Sequence, residues 1–155
     1  MTIIEKEGII NRPKDEVWDI LADYGNIHRF NPSLKSSHCT SDIANGLGAT
    51  RQCELKPIGV IQERIIRWVE GRSYTVEIYE GEKVPPFQEC TATLSVEEEN
   101  SHQTRVRFVI QYDLKYGFLG KAMDNIMVRS QFTTAADKLL AGLKSYAETP
   151  MRSRA

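Results

Sequence analysis

Glu63 is the residue of this chain best placed for proton chemistry. It shares strand parity with Ile61 and Ile65, so an inward-facing strand would sink its carboxylate into an apolar wall. A desolvated carboxylate is a candidate general acid or base. The same run carries Ile66 and Trp68 in the opposite phase, and a period of two alone leaves open which set faces inward. Arg51 lies in phase with Cys53 and Leu55. It either lines a cavity mouth or forms an ion pair with Glu63, and the ion pair is the expected role. Cys53 and Cys90 are inward by parity, but neither has a neighbouring histidine or helix N-terminus that would activate a thiolate, so both read as small core residues. His28, His38 and His102 form no metal constellation, and neither HExxH nor CxxC occurs. No metal site is therefore expected. No GxGxxG, P-loop or nucleophile elbow is present, and no cofactor is expected.

The elements that must position these residues follow from periodicity. Ile3 to Ile10 is rich in β-branched residues and ends at Asn11-Arg12-Pro13, so it reads as a strand. Pro13 suits a helix start, Asp15 and Glu16 favour the positive end of the helix dipole, and Val17, Trp18, Ile20 and Leu21 predict a short amphipathic helix over 13–22. Arg12 is expected to be exposed. Asp23-Tyr24-Gly25-Asn26 breaks the helix, and a second short helical piece around Ile27 to Phe30 stops before Asn31-Pro32. From Leu34 to Leu114 the rhythm has a period of two. Tyr74, Val76 and Ile78 form one inward set, Cys90, Ala92, Leu94 and Val96 a second, and Val106, Phe108, Ile110 and Tyr112 a third. Turn signals separate the runs, among them Asn45-Gly46-Leu47-Gly48, Pro57-Ile58-Gly59, Glu70-Gly71, Glu80-Gly81 to Pro86 and Glu97 to Ser101. Short links between alternating strands predict an antiparallel meander.

After Gly117 the period returns to 3.6. Leu119, Met123, Ile126 and Met127 make one stripe, continued by Phe132, Ala135, Ala136, Leu139, Leu143 and Tyr146. A helix over this stretch would run on the order of 40 Å, long enough to cover a sheet. A bent antiparallel sheet wrapped round one long helix is the two-layer solution to this order. Small inward residues (Cys53, Cys90, Ala92) beside large ones (Phe108, Tyr112, Phe132) leave volume between the layers, and a pocket is expected there.

The chain has 155 residues, 41% apolar and 26% charged, with 20 Lys and Arg against 21 Asp and Glu. These values suit one folded domain and give no basic footprint for nucleic acid or an anionic membrane. No run approaches the roughly 18–20 apolar residues of a membrane span. MTIIEKEGII carries charges where a signal peptide needs its apolar core, and three scattered cysteines make no disulfide framework. A cytoplasmic, reduced protein is expected.

Several short pieces occur together in a telling order. They are Arg12-Pro13 with Glu16-Val17-Trp18 and Asp23-Tyr24, then Gly48-Ala49-Thr50-Arg51, then Glu63-Arg64, then Tyr112 with Gly117-Phe118-Leu119-Gly120. In this the chain resembles the START-type, birch-pollen-allergen-like (SRPBCC) superfamily, in particular its polyketide cyclase/dehydrase branch, over residues 3–147. The resemblance implies an α+β helix-grip fold: a curved antiparallel sheet of about seven strands round a long C-terminal helix, with two short helices after the first strand. It implies a single ligand-binding domain over 1–148; residues 149–155 read as a disordered tail, since Pro150 blocks helix continuation and nothing follows that needs burial. It also implies that Glu63 points into the cavity. Lys35, in Ser33-Leu34-Lys35-Ser36, resembles a cavity lysine of plant hormone-receptor relatives, where the amine holds a ligand carboxylate. An ammonium there would offset the burial of Glu63; the alternative is a surface lysine guarding an edge strand. Cys90 stands where many relatives carry a pocket tyrosine. The turns Lys56-Pro57-Ile58-Gly59 and Lys83-Val84-Pro85-Pro86 lack the receptors' gate sequences, so no hormone switch is carried over.

The superfamily includes hydrophobic-ligand carriers, coenzyme-Q-binding proteins, plant hormone receptors and polyketide cyclases or aromatases, and the fold does not choose among them. The favoured expectation is binding or carriage of a small hydrophobic molecule with a polar head, in a cavity between sheet and C-terminal helix. Leu55, Ile61, Val76 and Ile78 would line it, with Cys53, Cys90, Ala92, Phe108 and Ile110 on the neighbouring strands. Tyr112, Met127, Phe132 and Ala136 would complete the wall, and Lys35, Arg51 and Glu63 would orient the head. The alternatives are a cyclase or dehydrase in which Glu63 or Tyr112 moves a proton, and an interaction protein with a filled core. The expected partner is a small apolar or amphipathic ligand, with a homodimer possible.

Overall fold

The computed structural model describes residues 1–115 and 127–150. Seven strands form one antiparallel sheet in the order β1-β7-β6-β5-β4-β3-β2. They are β1 (Thr2–Ile10), β2 (Leu34–Cys39), β3 (Thr50–Leu55), β4 (Val60–Val69), β5 (Ser73–Glu82), β6 (Phe87–Asn100) and β7 (Gln103–Leu114). Helix α1 (Lys14–Ala22) and a 3-10 turn (Tyr24–Arg29) join β1 to β2, and helix α2 (Arg129–Glu148) follows the sheet. This is the helix-grip architecture. Each strand of the meander pairs with its predecessor, while β1 pairs with β7 from Thr2↔Tyr112 to Ile10↔Thr104. β5 extends through Gly81 and Glu82, which pair with Ile61 and Val60, so the Glu80-Gly81 pair expected in a turn belongs to a strand.

Bulges decide which residues face inward. In β4 the pairing with β5 shifts between Ile65 and Arg67, which leaves Ile66 unpaired and reverses the phase. Glu63 and Ile65 are buried before the bulge, while Ile66 is exposed. Trp68 packs on the core after it. That local reversal is why β4 shows apolar residues in both phases. β2 has a similar shift between Leu34 and Ser36, so Leu34 and Ser37 are buried while Lys35 between them is exposed.

Helix α1 buries Val17, Trp18 and Leu21. Its Trp18 donates its indole N–H to Glu70 (3.2 Å), as does Trp68 (2.7 Å), which ties α1 to the end of β4. Helix α2 buries Ala136, Leu139, Leu143 and Ala147, spaced by three and four as one stripe must be. Gly142 sits against the chain after the 3-10 turn: a Cβ there would collide with the Phe30 carbonyl oxygen and come within 2.8 Å of the Pro32 ring. Close backbone approach is the reason this helix tolerates a glycine, which costs about 1 kcal/mol against alanine. At the C-terminal end of α2, Arg12 donates to the Glu148 carbonyl (2.7 Å) and the Asn11 amide donates to the Glu148 carboxylate (2.9 Å). Arg12 is therefore half-buried and caps a helix, a correction to its expected exposure; the contact spans the whole chain and leaves no local pattern. The expected helical stretch from Gly120 reaches α2 through residues 116–126, which lie outside the described residues along with Met123 and Ile126. No described helix is long and apolar enough to cross a membrane.

Candidate functional site

Between the concave face of the sheet and α2 lies a hollow of about 130 Å³. Its wall is overwhelmingly apolar. β3 and β4 contribute Cys53, Leu55 and Ile61, and β5 contributes Val76 and Ile78. β6 and β7 add Cys90, Ala92, Phe108 and Ile110, and α2 adds Phe132, Ala135 and Leu139. Ile27 and Leu34, with the half-buried Asn31 and Ser33, come from the segment around the 3-10 turn.

One stretch of this wall is charged. Arg51 and Glu63 are direct cross-strand partners in β3 and β4, so both side chains leave the sheet on the same face. They are only 3% and 6% exposed. Arg51 Nε donates to Glu63 Oε1 at 2.8 Å, and Arg51 Nη1 donates to the Tyr24 carbonyl at 3.0 Å. The guanidinium lies over the Tyr24 ring at 4.0 Å from its centroid, and 6.0 Å from that of Tyr74. Cys53 Sγ is 3.4 Å from Glu63 Oε1. Glu63 Oε2 makes no hydrogen bond among the described residues.

The surroundings set the protonation of these groups. Burial opposes the Arg51 charge, yet the adjoining Glu63 carboxylate outweighs it and the guanidinium is held well above its usual range. Burial pushes the Cys53 thiol up, with Glu63 adding to the effect. The Cys90 thiol is pushed up to about 12, again by burial first and Glu63 second. The Tyr24 and Tyr74 phenols rise through burial, against a smaller opposing pull from Arg51. All four neutral groups therefore keep their protons at neutral pH. Among the described residues the hydroxyls of Tyr24, Tyr74 and Tyr112 are buried without a well-formed hydrogen bond, although Arg51 lies beside the Tyr74 oxygen as a donor; unsatisfied buried hydroxyls cost stability unless something else satisfies them.

Of the residues expected to orient a head group, Arg51 and Glu63 are brought together and Lys35 is not. Lys35 is the extra residue of the β2 bulge on the sheet's edge strand; it points outward, with its Nζ 3.8 Å from Glu54. Met127 is 54% exposed, because the buried stripe entering α2 runs through Val128 one residue later. Tyr112 and Ala136 are buried but lie off the wall: the Tyr112 ring is packed 4.8 Å from Phe132 and 6.0 Å from Phe87. The functional expectations also omitted Tyr24 and Tyr74. The parity of Tyr74 with Val76 was a usable signal. Tyr24 sits in a 3-10 turn whose irregular backbone carries no period.

The profile of the family described as "Polyketide cyclase / dehydrase and lipid transport" matches residues 1–148. No curated protein matches the chain. Among solved structures, the Zhui aromatase/cyclase from Streptomyces sp. R1128 superposes with a TM-score of 0.82 at 14% identity, covering 99% of this chain and 99% of its own. A START superfamily protein from Mycobacterium smegmatis gives 0.77 at 13% identity, with 94% and 97% covered. Ara h 8.0201 gives 0.74 at 12% identity, with 96% and 99% covered. Likeness at such identities shows a shared fold.

Proposed function

Since this chain belongs to the polyketide cyclase / dehydrase and lipid transport family, we propose that it binds a small, mostly apolar molecule in the hollow between sheet and α2, with Arg51 and Glu63 orienting a polar group on that molecule. The observation that carries this reading is a buried ion pair set into a largely apolar wall. Burial of the ligand's apolar surface, worth roughly 25 cal/mol per Å² before the costs of association, would supply most of the affinity. The ion pair would supply orientation.

Binding is favoured over covalent chemistry because the Cys53 and Cys90 thiols stay protonated and are poor nucleophiles. A second reading, a cyclase or dehydrase, has one observation in its favour. Among the described residues Glu63 Oε2 has no hydrogen-bond partner, which leaves it available to a substrate proton. Catalysis would then lie mostly in holding a flexible substrate in a reactive shape.

Native mass spectrometry of the protein as purified from its source tests the first reading. A small molecule released on unfolding, and missing from an Ala92→Leu variant whose larger side chain fills the hollow, is the expected result. Bare protein from both, with no adduct after incubation with small apolar molecules, would contradict it. If a folded Glu63→Gln variant keeps its ligand but loses turnover, the cyclase reading replaces the carrier.

A further inference from the structure

Resting on the binding reading above, we propose the class of ligand: a neutral molecule about the size of one aromatic ring, bearing a hydroxyl that donates to Glu63 Oε2 and accepts from Tyr74. Three independent features of the hollow lead there.

The first is size. An apolar cavity of about 150 Å³ accommodates benzene, whereas pockets for drug-sized ligands run from about 300 to 1,000 Å³. At about 130 Å³ this hollow encloses a single ring, and a long acyl or polyketide chain would have to leave most of its length outside it. The Phe108 and Phe132 side chains on its wall suit an aromatic guest.

The second is charge. Arg51 and Glu63 are the charged residues among the lining residues, and they neutralise each other at 2.8 Å. A carboxylate brought in beside them would find no free cation among the described lining residues, since Lys35 faces away toward Glu54. An ammonium would likewise leave one net charge buried. Uncompensated buried charge is strongly disfavoured, so the guest is neutral.

The third is the pattern of open hydrogen-bonding sites. Among the described residues Glu63 Oε2 is an acceptor without a donor, since the contacts of this carboxylate go to Oε1. Tyr74, 1% exposed and lining the hollow, has Arg51 beside it as a donor to its oxygen, while its own hydroxyl proton has no acceptor among the described residues. A hydroxyl is the group that satisfies both at once, because it donates one proton and still accepts. A ketone offers no proton to Glu63, and a hydrocarbon satisfies neither site.

The test is calorimetric titration of the full chain at neutral pH with phenol, benzene, benzoate and 1-decanol. The expected result is that phenol binds about tenfold or more tightly than benzene, the difference being a hydrogen bond to a charged group. Benzoate and decanol should show no binding. Tyr74→Phe should lower phenol affinity several-fold and leave benzene unchanged, while Ala92→Leu should abolish both. Benzoate binding as tightly as phenol would overturn the charge argument. Decanol binding without phenol would overturn the size argument and leave the proposed binding role standing. If no compound binds, the ligand class and the binding role fall together.

Discussion

Removing one member of the Arg51–Glu63 pair should be far more damaging than removing both. At 2.8 Å and an effective dielectric of 20, the attraction between the two charges is about 6 kcal/mol. Much of that offsets the cost of taking them out of water, so the net worth of the pair is small. Glu63→Gln keeps an amide oxygen that can accept from Arg51 Nε but removes the negative charge, leaving the buried guanidinium without its counter-ion. Arg51→Met leaves a buried carboxylate facing a thiol that stays protonated. Each single variant should lose roughly 3–5 kcal/mol, whereas Arg51→Met/Glu63→Met should lie within about 1 kcal/mol of the wild type or above it. For a chain of this length the single losses correspond to a melting point lower by roughly 6–20 °C. Urea unfolding followed by the fluorescence of Trp18 and Trp68 gives all four corners of the cycle. Single variants within about 1 kcal/mol of the wild type, or a double variant as weak as the sum of the two, would refute the reasoning.

Other expectations rest on separate parts of the molecule. Cys53 and Cys90 are buried and Cys39 is half-exposed, so iodoacetamide at pH 8 should label one thiol of the native protein, Cys39, and three after unfolding; rapid native labelling of Cys90 would contradict this. The folded Cys90 thiol titrates near 12 against 9.0 for a free thiol, and Cys53 is shifted in the same direction. The unfolded chain thus gives up these protons first as pH rises. From neutral pH to about pH 8.5 these thiols should leave stability unchanged, and above it each should lower stability with a slope that approaches about 1.4 kcal/mol per pH unit. Urea midpoints at pH 8, 9 and 10 should record the decline, and Cys53→Ala/Cys90→Ala should flatten it. Gly142→Ala improves helix propensity by about 1 kcal/mol, yet drives a methyl into the Phe30 carbonyl. A net loss of about 2 kcal/mol or more is expected in urea unfolding, and a stabilised variant would show that α2 does not make that close approach.

The architecture was legible because period two and period 3.6 occupy separate stretches of the chain. Strand parity also grouped Arg51 with Cys53, and Glu63 with Ile61; that the two groups lie opposite one another on adjacent strands is a matter of register, which parity does not give. What stayed hidden was whatever a bulge or a distant contact decides. Ile66 and Trp68 made the phase of β4 ambiguous because a bulge reverses it between them. The resemblance put Lys35 in the cavity and the edge-strand reading put it on the surface; a bulge in β2, invisible in the sequence, turns it outward. A one-residue rotation separates the exposed Met127 from the buried Val128. Tyr24 and Arg12 act through backbone carbonyls met across the fold, and such partners leave no trace in local composition.

Diffraction from crystals soaked in 4-bromophenol addresses the ligand and its site together, since the anomalous signal of bromine locates the ring without ambiguity. The expected map has bromine inside the hollow near Phe132 and Leu139, with the hydroxyl about 2.5–3.0 Å from Glu63 Oε2. Bromine found only on the outer surface, or a ring seated in the hollow with its hydroxyl turned away from Glu63, would contradict the assignment.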